Sequence, residues 1–397
     1  HYLISGTKIF ISGAEQDLTE NIIHAVLARV EGAPAGVKGL SLFIVPKILV
    51  NPDGSLGEPN DVSCGGIEKK IGMHASATCL VNLGENDNCH GYILGEEGQG
   101  IRLMFQMMNE SRIGTALQGV ALAGGAYLNC LSYAKDRVQG VAIENARDPN
   151  APRVEIIKHP DVRRMLLTQK SYVEGMRAMM QYCAYHIDMA ETAGDKDEHD
   201  RYMGVAELLT PICKAYCTDM GFRCTELAIQ TMGGYGCTAD YPVEQYMRDL
   251  KPASVYEGTT GIQALDLLGR KVAMKGGSLF MNFIGTLNEF VETHKGNKKL
   301  KDLVAKLATG KDKLSEVTMH LGGLSMSGDP IYPVLSATPY LFLFGDVLMA
   351  YLLIWQAVIA QEKLDRDAEE NLGAQMLRQA AERTGDAVGD GTSTSTV

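Results

Sequence analysis

Apolar and polar residues alternate along LISGTKIFISG at residues 3–13, the period-two signature of a half-buried strand. The short β-rich runs AVLARV and LSLFIVPK follow, separated by Gly, Pro, Asn and Asp. NPDGSLGEPNDV is a long turn region, and LGENDNCHGYILGEEGQG closes the segment with further glycines. From about Ile101 the period changes. Residues 101–138 carry apolar positions at the three-to-four spacing of one helix face, and 153–192, 205–232 and 261–275 repeat that pattern. GDKDEHD at 194–200 reads as a solvated connection between helices. Three more helical patterns start near Phe280, Lys298 and Tyr340. The implied fold is an α+β multi-domain chain. It has an antiparallel β-barrel-like domain over 1–98, a four-helix bundle over 99–275, an additional helical domain over 276–390, and a polar disordered tail over 391–397.

Composition narrows the picture. The chain has 397 residues, enough for two or three domains, and at 45% hydrophobic and 21% charged it is ordinary for a globular protein. A net charge of −11 argues against a general nucleic-acid surface. Nine cysteines are dispersed without a CxxC, so they read as reduced thiols of a cytoplasmic compartment. Cys213 and Cys217 share a helical face, but two ligands do not make a metal site, and none is expected. No signal peptide is visible. Tyr340–Ile359 is strongly apolar but contains Gly345 and Asp346, so it reads as a buried bundle helix rather than a membrane span. The chain opens at His1 inside a strand-like run, which suggests a fragment lacking an N-terminal part.

The densest candidate chemistry lies between Gln230 and Gln263, in QTMGGYGCTADYPVEQYMRDLKPASVYEGTTGIQ. Glu257 stands near its end among small or apolar neighbours: Ala253, Ser254, Val255, Gly258, Thr259 and Gly261. Such a carboxylate reads either as an exposed turn residue capping the next helix or as a poorly hydrated proton acceptor. The ungapped run GGYG, YPVEQYMRD and VYEGT resembles the active-site segment of the acyl-CoA dehydrogenase family. The extra C-terminal helices, with EKKIGMHASATC and YEGTTGIQALDLLGRK, look most like its larger subfamily, which includes 3-methylmercaptopropionyl-CoA dehydrogenases and long-chain bacterial enzymes.

That resemblance implies a chemistry and a set of roles. Glu257 would remove the α-proton of an acyl-CoA thioester, giving a trans-2-enoyl-CoA. The acyl group would be 3-(methylthio)propanoyl or a fatty acyl chain. Oxidising a saturated carbon–carbon bond needs a hydride acceptor that side chains cannot supply, and no Rossmann GxGxxG follows a strand. The family's solution is FAD held between a β-domain and a helix bundle. Phe10 and Ser12 match the flavin-contacting strand, although they also read as ordinary alternate strand residues. Arg137, supported by Gln139, matches the turn that reaches the FAD pyrophosphate of a neighbouring subunit; a helix end at Gly140 is the other reading. Gln230, Gly233 and Gly234, with Met232, match a segment contacting the FAD adenosine across the dimer, and Thr259 a contact to the FAD phosphate or ribityl region. Gly261 stands where the short-chain-length members commonly have Gln. On the substrate side the resemblance implies Arg112, Asn109 where many members have Asp, and the Gly258 N–H on the thioester oxygen. Asn109 and Arg112 read equally well as a polar helix flank. His74 fits an architectural role. Further implied are an electron-transfer flavoprotein as acceptor and a homodimer or homotetramer. An oxygen-using acyl-CoA oxidase and a non-catalytic flavin-binding relative remain as alternatives.

Overall fold

The computed structural model describes residues 1–328 and 331–366. The chain divides into two compact units, His1–Ser111 and Arg112–Val397. The tail expected at 391–397 lies outside the described residues.

Antiparallel strands build the first unit: β1 (Tyr2–Leu3), β2 (Gly6–Ser12), β3 (Ile23–Arg29), β4 (Leu40–Pro46), β5 (Ile48–Val50), β6 (Leu56–Pro59), β7 (Val62–Ile67), β8 (Thr78–Leu83) and β9 (His90–Leu94). They form a four-stranded sheet ordered β1-β9-β4-β3, a three-stranded sheet β2-β8-β7 and the two-stranded ribbon β5-β6. Alternate residues Cys79, Val81 and Leu83 of β8 are buried, and with Phe43, Val45 and Val26 they make one core. The sheets stay open, so the barrel-like shape read from the sequence is corrected to two open antiparallel sheets. In β2 the pairing runs Lys8 with Val81 and then Ile11 with Cys79, so Ile9 and Phe10 together oppose one residue. This is a β-bulge, which bends the strand and re-aims its side chains.

Helix α1 (Gly100–Asp136) carries the division between the units after Ser111. Beyond it, β10 (Val138–Val141) pairs antiparallel with β11 (Arg153–Glu155). Then come α2 (Pro160–Glu191), α3 (Lys196–Met232), α4 (Val243–Leu250), α5 (Thr260–Asp266), α6 (Ser278–His294), α7 (Lys301–Met326) and α8 (Ile331–Arg366). The acidic run at 194–200 is mostly helix, not connection. Asp195 caps α3 by accepting from the Glu198 N–H at 2.8 Å, and Asp197 and Glu198 favour the positive end of the helix dipole. The helix expected over 261–275 is interrupted. A π-helical turn spans Leu267–Lys271, and left-handed Lys275 and Gly276 end the path before α6.

One apolar cluster joins these helices, from Ala116 and Val120 of α1 through Met176 and Met179 of α2 and Leu208 and Ile212 of α3 to Leu348 and Ile354 of α8. Among the described residues, α8 alone is long and apolar enough to cross a membrane by length and composition; 67% of its apolar window is buried, the packing of a bundle helix. All nine cysteines are free thiols.

Candidate active site

Helix α4 runs into a 3-10 turn at Lys251–Ser254, and α5 begins at Thr260. Between them, half-buried Glu257 has φ 56° and Gly258 φ 90°. A left-handed backbone costs a non-glycine residue about 1–2 kcal/mol, so it persists only where surroundings impose it. Here they do. The Gln263 amide donates to the carbonyls of both Glu257 (3.0 Å) and Gly258 (3.2 Å), and the Lys214 ammonium donates to the Gly258 carbonyl at 2.6 Å. Thr260 Oγ1 donates to Asp219 Oδ2 at 2.6 Å, and Thr259 Oγ1 caps α5 by accepting from the Ile262 N–H at 3.3 Å. Tyr256 donates its hydroxyl hydrogen to Gln118 Oε1. Among the described residues all peptide bonds are trans. The Glu257 carbonyl faces Gln263, so the N–H across the same peptide plane, that of Gly258, points away from this anchor. The turn thus offers a carboxylate and a nearby backbone donor on rigid supports.

Lys214, Asp219 and Gln263 escaped the sequence reading, which saw only small and apolar neighbours around Glu257. Lys214 is wholly buried in α3, and burial pushes its amine down to about 8; the charges of Asp219 and Glu257 partly offset this and Arg112 reinforces it. A signal was present: Lys214 has Thr210, Pro211, Cys217 and Thr218 one turn away and no carboxylate to pair with at that spacing.

Arg112, expected beside the substrate, is buried in an ion pair with Asp266 at 2.9 Å, and Arg270 holds the same carboxylate at 2.6 Å. Burial raises the Asp266 carboxyl, but the Arg270 hydrogen bond and the charges of Arg270, Arg112 and Lys271 outweigh it, so its net shift is below the ordinary carboxylate value. At acidic pH the unfolded chain therefore binds the proton more readily than the folded one. Stability contributed by Asp266 is present above the ordinary carboxylate pKa and is lost as pH falls through the depressed folded value. Asp266→Asn should flatten this acid limb in denaturant titrations repeated across pH; an unchanged slope would remove Asp266 from the account. Asn109 is half-buried on α1 within the first unit.

A second group of candidate residues meets in one cleft of about 390 Å³, where Arg137, Gln139, Gln230 and Gly233 line the wall with Tyr133 and His159. Arg137 follows α1 directly. The expected helix-end turn gives way to β10, because the Arg137 carbonyl accepts from the Ile156 N–H at 2.8 Å beside the hairpin. Its exposed guanidinium lies 5.7 Å from the Tyr235 ring centroid. His159 Nε2 donates to the Gln139 carbonyl at 2.7 Å. Gly233 ends α3 at φ 61°, and a Cβ on either Gly233 or Gly234 would meet nothing within 4 Å, so bare backbone faces open space. A guanidinium fork, side-chain amides and uncovered backbone suit a diphosphate.

Phe10 and Ser12 belong to the first unit. Phe10 sits in the β2 bulge at φ 57° and is 67% exposed, and Ser12 ends the strand opposite Thr78. Phe10 and Glu257 are thus two of the six non-glycine residues with positive φ among the described residues. His74 bonds the Lys70 carbonyl at 2.9 Å, a local structural contact. Among the described residues no group of three or more His, Cys, Asp or Glu is placed to hold a metal.

An antiparallel β unit followed by long packed helices, with a half-buried carboxylate held in a left-handed turn, defines an α+β scaffold. Residues 98–272 match the acyl-CoA dehydrogenase C-terminal domain, and 283–387 match the acetyl-CoA dehydrogenase C-terminal-like domain. The chain belongs to the acyl-CoA dehydrogenase family. It is 40% identical over 372 residues to the 3-methylmercaptopropionyl-CoA dehydrogenase of Ruegeria pomeroyi, covering 93% of this chain and 62% of that relative. It is 42% identical over 310 residues to a butyryl-CoA dehydrogenase of Syntrophomonas wolfei, covering 77% and 50%. The chain therefore spans half to about three-fifths of the length of these relatives. Its fold matches Caenorhabditis elegans ACDH-11 in complex with C11-CoA, with a TM-score of 0.77 at 19% identity, over all of this chain and 60% of that one. It also matches a Bacillus anthracis acyl-CoA dehydrogenase complexed with FAD, with a TM-score of 0.71 at 18% identity, over 98% and 62%.

Proposed function

We propose that this chain carries the proton-abstracting part of an FAD-dependent acyl-CoA dehydrogenase that converts a saturated acyl-CoA thioester to the trans-2-enoyl-CoA. The observation that carries the reading is the Glu257–Gly258 turn: a carboxylate in left-handed backbone, anchored from behind by Gln263 and Lys214, with the Gly258 N–H turned away from that anchor.

In this reading Glu257 takes the α-proton of the thioester. The Gly258 N–H donates to the thioester oxygen and stabilises the negative charge that grows there as the proton leaves. Bound FAD would supply the hydride acceptor for the β-carbon. Arg137, Gln139, Gln230, Gly233 and Gly234 would hold the diphosphate and adenosine end of the FAD bound by a neighbouring subunit, and the Arg137 cleft has the donor set for that task. Thr259 keeps a hydroxyl hydrogen free of its capping role, since it accepts in the cap, and would donate it to the cofactor. Phe10 and Ser12 would contact the flavin ring. Asn109 and Arg112 would lie on the substrate side, Arg112 through the buried pair that steadies α5. The same proposal includes a 3-(methylthio)propanoyl or fatty acyl substrate, reoxidation by an electron-transfer flavoprotein, a homodimer or homotetramer and a cytoplasmic setting. It also takes residues 1–98, 99–275 and 276–390 as separate sequence modules.

The test is anaerobic titration of the FAD-loaded protein with butyryl-, long-chain and 3-(methylthio)propanoyl-CoA. At least one should bleach the flavin stoichiometrically and yield its 2-enoyl product. A flavin left oxidised by all three would overturn the reading.

A further inference from the structure

We propose that Lys214 is a positioning residue for the base, holding the Gly258 carbonyl so that the Glu257–Gly258 turn keeps the left-handed backbone that presents both the carboxylate and the Gly258 N–H. This rests on Glu257 being the proton acceptor.

A buried ammonium is costly unless something takes its charge and its hydrogens. Lys214 has no carboxylate one turn away on α3, and its ammonium donates to the Gly258 carbonyl of the turn at 2.6 Å. The charged groups that face it are Asp219 of its own helix, Glu257 of the turn and Arg112 of α1. The attractive ones are thus Asp219, which also holds Thr260 on the far side of the turn, and Glu257 itself. Gln263 alone spans two carbonyls with one nitrogen, at 3.0 and 3.2 Å. The shorter, charge-assisted bond from Lys214 is the stronger restraint on Gly258. Without it the strained φ of Glu257 has less to oppose its relaxation. The amine, at about 8, loses its charge as pH rises through that value. An arginine at 214 would stay charged.

The experiment compares Lys214→Met, Lys214→Arg and Glu257→Gln with the parent protein, all FAD-loaded. Hydrogen exchange of residues 255–263 is measured without substrate, and kcat and KM are measured from pH 7 to 10. Lys214→Met should exchange faster at 255–263 and lose roughly tenfold or more in kcat, with KM changed far less. Lys214→Arg should keep the turn protected and move the alkaline fall in kcat to higher pH. The inference is overturned if Lys214→Met exchanges and turns over like the parent. An alkaline limb unmoved in Lys214→Arg overturns it too, and that readout stands even if the Met variant does not fold. Glu257→Gln separates the two claims. Turnover retained in that variant refutes the base itself, whereas an inactive Glu257→Gln beside unaffected Lys214 variants refutes only the positioning role.

Discussion

Replacing Glu257 by Gln should leave a folded, FAD-bearing protein whose bleaching by acyl-CoA is slowed roughly 10²–10⁴-fold. Gln has the shape of Glu and the same backbone demands, so the left-handed turn and its two carbonyl anchors, Gln263 and Lys214, are expected to persist. In the proposed mechanism the substitution removes the basic carboxylate that takes the α-proton. It also removes a negative charge that supports the Lys214 ammonium, so that amine should fall further below its ordinary value. Rapid-mixing absorbance of the flavin reads the loss directly. Flavin content, melting temperature and acyl-CoA affinity, measured on the same sample, show that the fold and the binding site survive. Bleaching at the parent rate would place the base elsewhere.

How much of this was legible in the sequence follows from the range of each interaction. Local periodicity set out the strands of the first unit and the long helices of the second, because each element's apolar face is written in its own residues. The run from Gly233 to Thr259 could be read as one motif because its chemistry is contiguous. The bulge that turns Phe10 outward could not, since it depends on how β2 pairs with β8 across the sheet. Two signals were present but misweighed. The acidic run at 194–200 looked like linker, although an Asp followed by Asp197 and Glu198 is also how a helix starts. Lys214 is one polar residue in an apolar stretch of helix, and only the tertiary path of the chain brings the Gly258 carbonyl to it. Asp266 shows the same limit. Its Arg270 partner is four residues further along, in the π-helical turn that follows α5, whereas Arg112 arrives from α1, so half of that ion-pair network is invisible to local spacing.

Gly258→Ala should cost roughly a hundredfold in kcat/KM while lowering global stability only modestly. Two independent observations meet at this glycine. Its φ of 90° lies in the left-handed region, where a side chain adds about 1–2 kcal/mol of strain. A Cβ there would also stand 2.5 Å from Gln263 Nε2, the atom that bonds both turn carbonyls. Something must shift, and Gln263, buried on α5, has little room to do so. Relief by rotating the turn would swing the Glu257 carboxylate and tilt the Gly258 N–H off the thioester oxygen together. Because the turn lies between α4 and α5 rather than in the apolar cluster of the long helices, the damage should stay local. Hydrogen exchange should therefore rise at 255–263 and not in α2 or α3, and acyl-CoA should still bind. A variant with parent-like turnover would show that the turn tolerates a side chain and that its left-handed geometry is not what presents the base. A variant that instead melts cooperatively at a much lower temperature would show that the turn supports the bundle as well as the chemistry.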